Sequence, residues 1–161
     1  MTGVQRRFAI FAAVFFAQLA VAGSPVRKQT SSYPSNKIKE QWTEISDSTG
    51  TYKPHGLYYS FYESGGKQQV GQYVAGIKNG KWVSMYENGQ VKDSLRWIKG
   101  EKQGAYANYH ENGQMATKGS NLNDKPDSYW ETFYPDGARL RVWSYKNGVE
   151  NGYDINYYPN R

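Results

Sequence analysis

The side chains able to do chemistry are few, and their spacing speaks of copying rather than catalysis. The chain has no cysteine, which excludes a thiol nucleophile and thiolate metal ligation. Its two histidines, His55 and His110, have no partner at metal-ligand spacing. His110 stands where Tyr62, Tyr86, Tyr134 and Tyr158 stand in equivalent positions, so it reads as a substituted sheet aromatic rather than a general base. Glu63, Glu87 and Glu111 also recur at equal intervals, each in a glycine-containing turn where exposure to solvent is its expected role. The paired carboxylates of a glycosidase must converge across a cleft, and acids repeated along a row of turns do not. No catalytic, cofactor-binding or metal-binding residue is assigned, and the chain is not expected to be an enzyme.

The aromatic columns remain. Tyr58, Trp82, Tyr106 and Trp130 recur every 24 residues and form a candidate partner-binding column, although packing is the plainer use of such apolar material. His110, Asn121 and Asp124 break their columns within one unit, which marks that unit as a candidate specialised repeat.

The frame that positions these columns is clearest in Gly80–Gln103, "GKWVSMYENGQVKDSLRWIKGEKQ". Laid over the chain without a gap, it starts units at Gly56, Gly80, Gly104, Ser128 and Gly152, with turn glycines at Gly65, Gly89, Gly113 and Gly137. A fixed period of this size is the signature of a repeat architecture in which each unit buries its apolar surface against its neighbours. The full repeats are 56–79, 80–103, 104–127 and 128–151, with a degraded first unit at 33–55 and a partial last one at 152–161. In the first unit Asn36 takes the place of the turn glycine, and five residues are inserted around "ISDSTG".

Each unit reads as a β-hairpin. "YPDGA" at Tyr134–Ala138 suits a type I turn closed by a left-handed glycine and a bulge, and the same turn is expected in every copy. The return turns "AGIKNG", "KGEKQG" and "KNGVENG" bring the chain back, and the substitutions at Asp124, Pro126 and Ser128 predict a looser turn in the third repeat. Strand alternation places the Tyr58 column on one face with Tyr62, Tyr86, His110, Tyr134 and Tyr158, separated from them by Ser60, Ser84, Asn108 and Thr132. Phe61, Met85, Tyr109, Phe133 and Tyr157 point the other way. The expected fold is therefore all-β, an elongated antiparallel β-hairpin repeat array of nine or ten strands.

Ahead of the array, residues 1–22 carry Arg6 and Arg7, an apolar run and small residues at Ala20 and Ala22, the three parts of a cleaved signal peptide. Export to the periplasm or beyond is expected, without a transmembrane anchor after cleavage. Residues 23–32, "GSPVRKQTSS", read as a flexible linker to a domain spanning 33–161. Cleavage leaves 18 basic and 14 acidic residues, a formal charge of +4 with no basic run, so nucleic acid is not an expected partner.

"GKWVSMYENGQVK" followed by "KGEKQG", and "YWETFYPDGARLRVWSYKNGVENG", resemble the bacterial MORN-repeat variant. The resemblance runs over four copies, the degraded first unit and the truncated last one. It implies a MORN-like meander sheet and an interaction role, since many exported proteins with these repeats are YwqK-type antitoxin-like proteins, and it supplies no catalytic residues. The expected function is an exported protein–protein interaction module, with antitoxin or immunity activity as a special case. The alternative is a cell-envelope glycan (peptidoglycan) binder, because sugars stack on aromatic rows and Asn112–Gly119 is similar to the wall-binding repeats of Gram-positive surface proteins. If the last unit leaves an open edge, pairing is expected there unless Pro159 and Arg161 blunt it.

Overall fold

The computed structural model describes residues 25–158. The expected signal peptide, the first two linker residues and the edge-blunting Pro159 and Arg161 lie outside them. Eleven strands run in chain order through one open antiparallel sheet. They are β1 (Val26–Ser32), β2 (Ile38–Ser46), β3 (Tyr52–Phe61), β4 (Lys67–Val74), β5 (Ile77–Met85), β6 (Val91–Ile98), β7 (Glu101–Tyr109), β8 (Met115–Leu122), β9 (Lys125–Phe133), β10 (Arg139–Lys146) and β11 (Val149–Asn156). At about 4.8 Å between strands the ribbon is roughly 48 Å across, with β1 and β11 as its unpaired edges.

Two turn types alternate along the two sides. On one side the amide of Gly89 donates to the Tyr86 carbonyl at 2.9 Å and the Tyr86 amide donates to the Gln90 carbonyl at 2.8 Å. The same pair of bonds closes the turns at Tyr62, His110 and Tyr134, with a left-handed glycine at each. This is the expected type I turn with a bulge, and Asn36 holds the glycine position in the first unit at φ 64°. On the other side lie two-residue turns with both residues at positive φ: Ala75–Gly76, Lys99–Gly100, Asn123–Asp124 and Asn147–Gly148. That is the type I′ geometry whose twist matches the flanking strands.

The sequence expectation of a looser turn in the third repeat is thus corrected. Asn123 and Asp124 adopt φ 51° and 66°, as the other copies do, because asparagine and aspartate tolerate the left-handed region well enough to replace Lys–Gly. The linker expectation is corrected as well. Residues 26–32 form β1, fully paired to β2 from Val26↔Ile45 to Ser32↔Ile38. Their polar composition suits an edge strand that is exposed except at Gln29 and Ser31, and composition alone could not distinguish that from a spacer. The extra strand raises the count to eleven.

The glycines that open the repeats are bulge residues. Between Val70↔Val83 and Gln72↔Asn79 the ladder skips, and Gly80 sits in the longer strand at φ 76°. Gly56, Gly104 and Gly152 occupy the same place at φ 88°, 77° and 95°, and Ser128 is forced there at φ 62°. A single layer leaves little to bury: Trp82, 3% exposed, is the one buried hydrophobic side chain among the described residues, joined by Ser60 and Asn121 at 7% each.

Two substitutions test this account. Ser128→Gly removes a left-handed penalty of about 1–2 kcal/mol against a glycine entropy cost of about 0.5–1 kcal/mol, so urea denaturation should show a net gain. Gly71→Ala places its Cβ inside the Trp82 indole; the same measurement should show a loss of roughly 1–3 kcal/mol from overpacking.

Candidate functional site

Strand pairing assembles three parallel rows on one face, here called the ring face. The first is aromatic. Tyr58 and Trp82 lie 5.5 Å apart with rings tilted by 31°, and Tyr106 and Trp130 repeat this at 5.5 Å and 30°. Between the members of each pair lies a glycine strand position, Gly71 or Gly119, where any Cβ would run into the indole. Tyr73 meets Trp82 edge-on at 5.0 Å, and the Lys78 ammonium sits 4.1 Å from the Trp82 ring centroid and 5.0 Å from that of Trp97. Burial pushes the Lys78 ammonium below its ordinary pKa.

The second row is polar and crosses all eleven strands by direct pairing. It runs Ser31, Glu40, Ser60, Gln69, Ser84, Asp93, Asn108, Thr117, Thr132, Arg141 and Asn156. Gln69 Nε2 donates to Ser84 Oγ at 3.2 Å, and Ser84 Oγ donates to Asp93 Oδ1 at 3.1 Å. At one end Arg141 makes a two-point contact with Asp154, 2.8 and 3.0 Å, where the other repeats place an aromatic ring.

The third row is a ladder of phenols. Tyr62 Oη donates to the Met85 carbonyl at 2.7 Å, Tyr86 Oη to that of Tyr109 at 2.7 Å, and Tyr134 Oη to that of Tyr157 at 3.4 Å. His110 Nε2 lies 3.0 Å from the Phe133 carbonyl and fills the same role. Tyr33 joins through the Phe61 carbonyl at 2.8 Å, 28 residues on instead of 23, so the five inserted residues loop out without breaking the ladder.

Where the polar row crosses β2 to β6 the ring face sinks into a groove of about 290 Å³. Its lining includes Lys39, Glu40, Tyr58, Ser60, Tyr62, Gln68, Gln69, Ser84, Lys92 and Asp93. Glu40 accepts from Tyr58 Oη at 2.7 Å and from Ser31 Oγ at 2.9 Å. The Tyr58 bond, then that from Ser31, holds its carboxyl below the ordinary value. Burial, then the Glu40 contact, raises the Tyr58 phenol.

The residues singled out in sequence all have structural employment. Tyr58, Trp82, Tyr106 and Trp130 form the packed row; Trp82 is buried and the others are half-buried. Asn121 is buried opposite Gly104 and Pro126, and Asp124 Oδ1 accepts from the Lys102 amide at 2.8 Å. His110 keeps the phenol ladder unbroken. Sequence columns gave four of the eleven members of the polar row, Ser60, Ser84, Asn108 and Thr132. Four more, Gln69, Asp93, Thr117 and Arg141, keep the 24-residue spacing but share no chemistry. Among the described residues no group of three His, Cys, Asp or Glu side chains could hold a metal ion, and no helix is long and apolar enough to cross a membrane.

Fold and rows define an open, single-layer β-hairpin repeat protein. The family model described as the MORN repeat variant matches residues 54–75, which span β3 and β4. No curated protein matches the chain in sequence. Among solved structures, a protein of unknown function from Bacteroides fragilis is similar at 10% identity, covering 84% of this chain and 94% of its own, with a TM-score of 0.21.

The Glu40 contacts give a pH dependence. Because Glu40 binds its proton less readily when folded, its contribution is complete above the ordinary value of 4.5 and is lost as pH falls below that and through the folded value. Melting temperature followed from neutral pH downward should drop in that range, and Glu40→Gln should show a shallower drop; parallel curves would assign the acid sensitivity elsewhere.

Proposed function

We propose that the protein is an exported, non-enzymatic module that binds a protein partner. The observation that carries this reading is the face opposite the rings. In a one-layer sheet it has nothing to pack against, and it leaves Leu57, Val74, Ile77, Val91 and Ile98 between 37% and 49% exposed. Val74 and Ile77 pair directly across a turn, Ile98 ends the next strand and Leu57 lies on β3, so these four gather toward one margin of the face, with Val91 at the opposite end of β6. Exposed apolar side chains gathered at one margin of a sheet face are the kind of surface that marks a protein interface. The MORN-variant match at residues 54–75 overlaps this segment and supports an interaction role. The ring face supports the non-enzymatic part, because its conspicuous side chains hold the array together. Export rests on the leader-like residues 1–22, and neutralisation of a toxic partner remains the special case of this reading.

The test is capture by the immobilised mature chain from a cell-envelope extract, in parallel with an Ile77→Lys, Ile98→Lys double variant whose melting temperature is checked first. A single protein retained in stoichiometric amount by the parent and lost by the variant is the expected result. Equal retention by both, or retention of no protein, would sink the reading.

A further inference from the structure

The groove on the ring face uses none of these exposed apolar side chains, and its lining points to a ligand of a different kind. We propose that it is a binding site for a short neutral saccharide, one or two pyranose rings long.

Charge comes first. Each end of the groove carries one ammonium and one carboxylate adjacent in sequence, Lys39 with Glu40 on β2 and Lys92 with Asp93 on β6. The four charges cancel, so the site has no net attraction for an anion or a cation. The lysines are not consumed by ion pairs: among the described residues neither has a carboxylate within salt-bridge distance, and each rests over a tyrosine ring, Lys39 at 5.7 Å from Tyr33 and Lys92 at 5.6 Å from Tyr86.

Hydrogen-bonding capacity comes second. The phenols of Tyr58 and Tyr62 are already committed to Glu40 and to the Met85 carbonyl, which fixes both rings as walls. Ser60 Oγ donates to Gln68 Oε1 at 3.3 Å and Gln69 Nε2 is held by Ser84. Left over are the Gln68 amide N–H groups, the Gln69 carbonyl and both ammoniums, a mixture of donors and acceptors facing one cavity. A hydroxyl donates and accepts at once, so a polyhydroxylated ring matches such a mixture, with the fixed phenol rings to pack against. An extended peptide does not, because the strand N–H and C=O groups beneath the groove are already spent in the ladder and side-chain groups alone remain. The size suits a small ligand: about 290 Å³ lies just below the range of ligand cavities, roughly 300 to 1,000 Å³.

The test is an NMR titration of the mature, isotopically labelled chain with cellobiose and with diacetylchitobiose. The expected result is saturable shifts confined to the Gln68 and Gln69 side-chain amides and the adjoining strands. Gln69→Ala and Lys92→Met, each with an unchanged melting temperature, should weaken binding about fivefold, the net worth of one hydrogen bond. No saturable shift with either sugar, undiminished binding in both variants, or tighter binding of a mixed-charge Lys–Glu peptide in the same groove would overturn the proposal. The Ile77→Lys, Ile98→Lys variant should bind sugar normally, so failure here and failure of the partner capture are distinguishable.

Discussion

A phenol hydroxyl reaching over the sheet to a backbone carbonyl of the next repeat is the interaction on which the rest depends. Tyr62, Tyr86 and Tyr134 each make it, and His110 substitutes an imidazole nitrogen at the same point. A one-layer sheet has no second layer to hold its hairpins in line, and hydrogen bonding between neighbouring strands leaves their turns free to splay. The phenols close one side. On the other, the amides of Gly76, Gly100, Asp124 and Gly148 donate to carbonyls at Pro54, Lys78, Lys102 and Pro126 in the preceding unit, at 2.7 to 3.2 Å. With both margins pinned at every repeat, the middle of the ring face can carry polar side chains.

Between the margins the apolar material works in pairs of repeats. Tyr58, Gly71 and Trp82 form one packing unit and Tyr106, Gly119 and Trp130 another, 48 residues along, with Leu95 and Trp143 between or beyond them. The missing side chain at the glycine is what admits the indole to the backbone. The true packing period is therefore twice the sequence frame. The Lys78 ammonium over Trp82 and Trp97, and the Arg141 guanidinium 4.5 Å from the Trp143 centroid, cap these rings with positive charge.

Much of this was written in the columns. The turn glycines, Asn36 as a glycine substitute and His110 as a displaced aromatic could all be read because backbone geometry at a turn restricts residue type sharply. The doubled period escaped because its signal is two glycines, Gly71 and Gly119, in a chain with 17. β1 escaped because an edge strand owes its form to its partner β2 and needs no apolar pattern of its own. The groove escaped for a related reason: Lys39–Glu40 and Lys92–Asp93 converge through three intervening strands, and only pairing register shows that Ser60, Gln69 and Ser84 lie between them.

Substantial contacts run only between strands consecutive in sequence. That connectivity has a mechanical meaning. A pull applied to the two ends of this chain meets no interlocked core whose rupture frees the whole. It loads the outermost strand, whose release shifts the load to the next, so the protein yields hairpin by hairpin like a zip and shortens again from whatever remains folded. The same neighbour-only wiring keeps contact order low, which favours rapid reclosure. An array of this construction behaves under tension as a spring with discrete steps, each one repeat long.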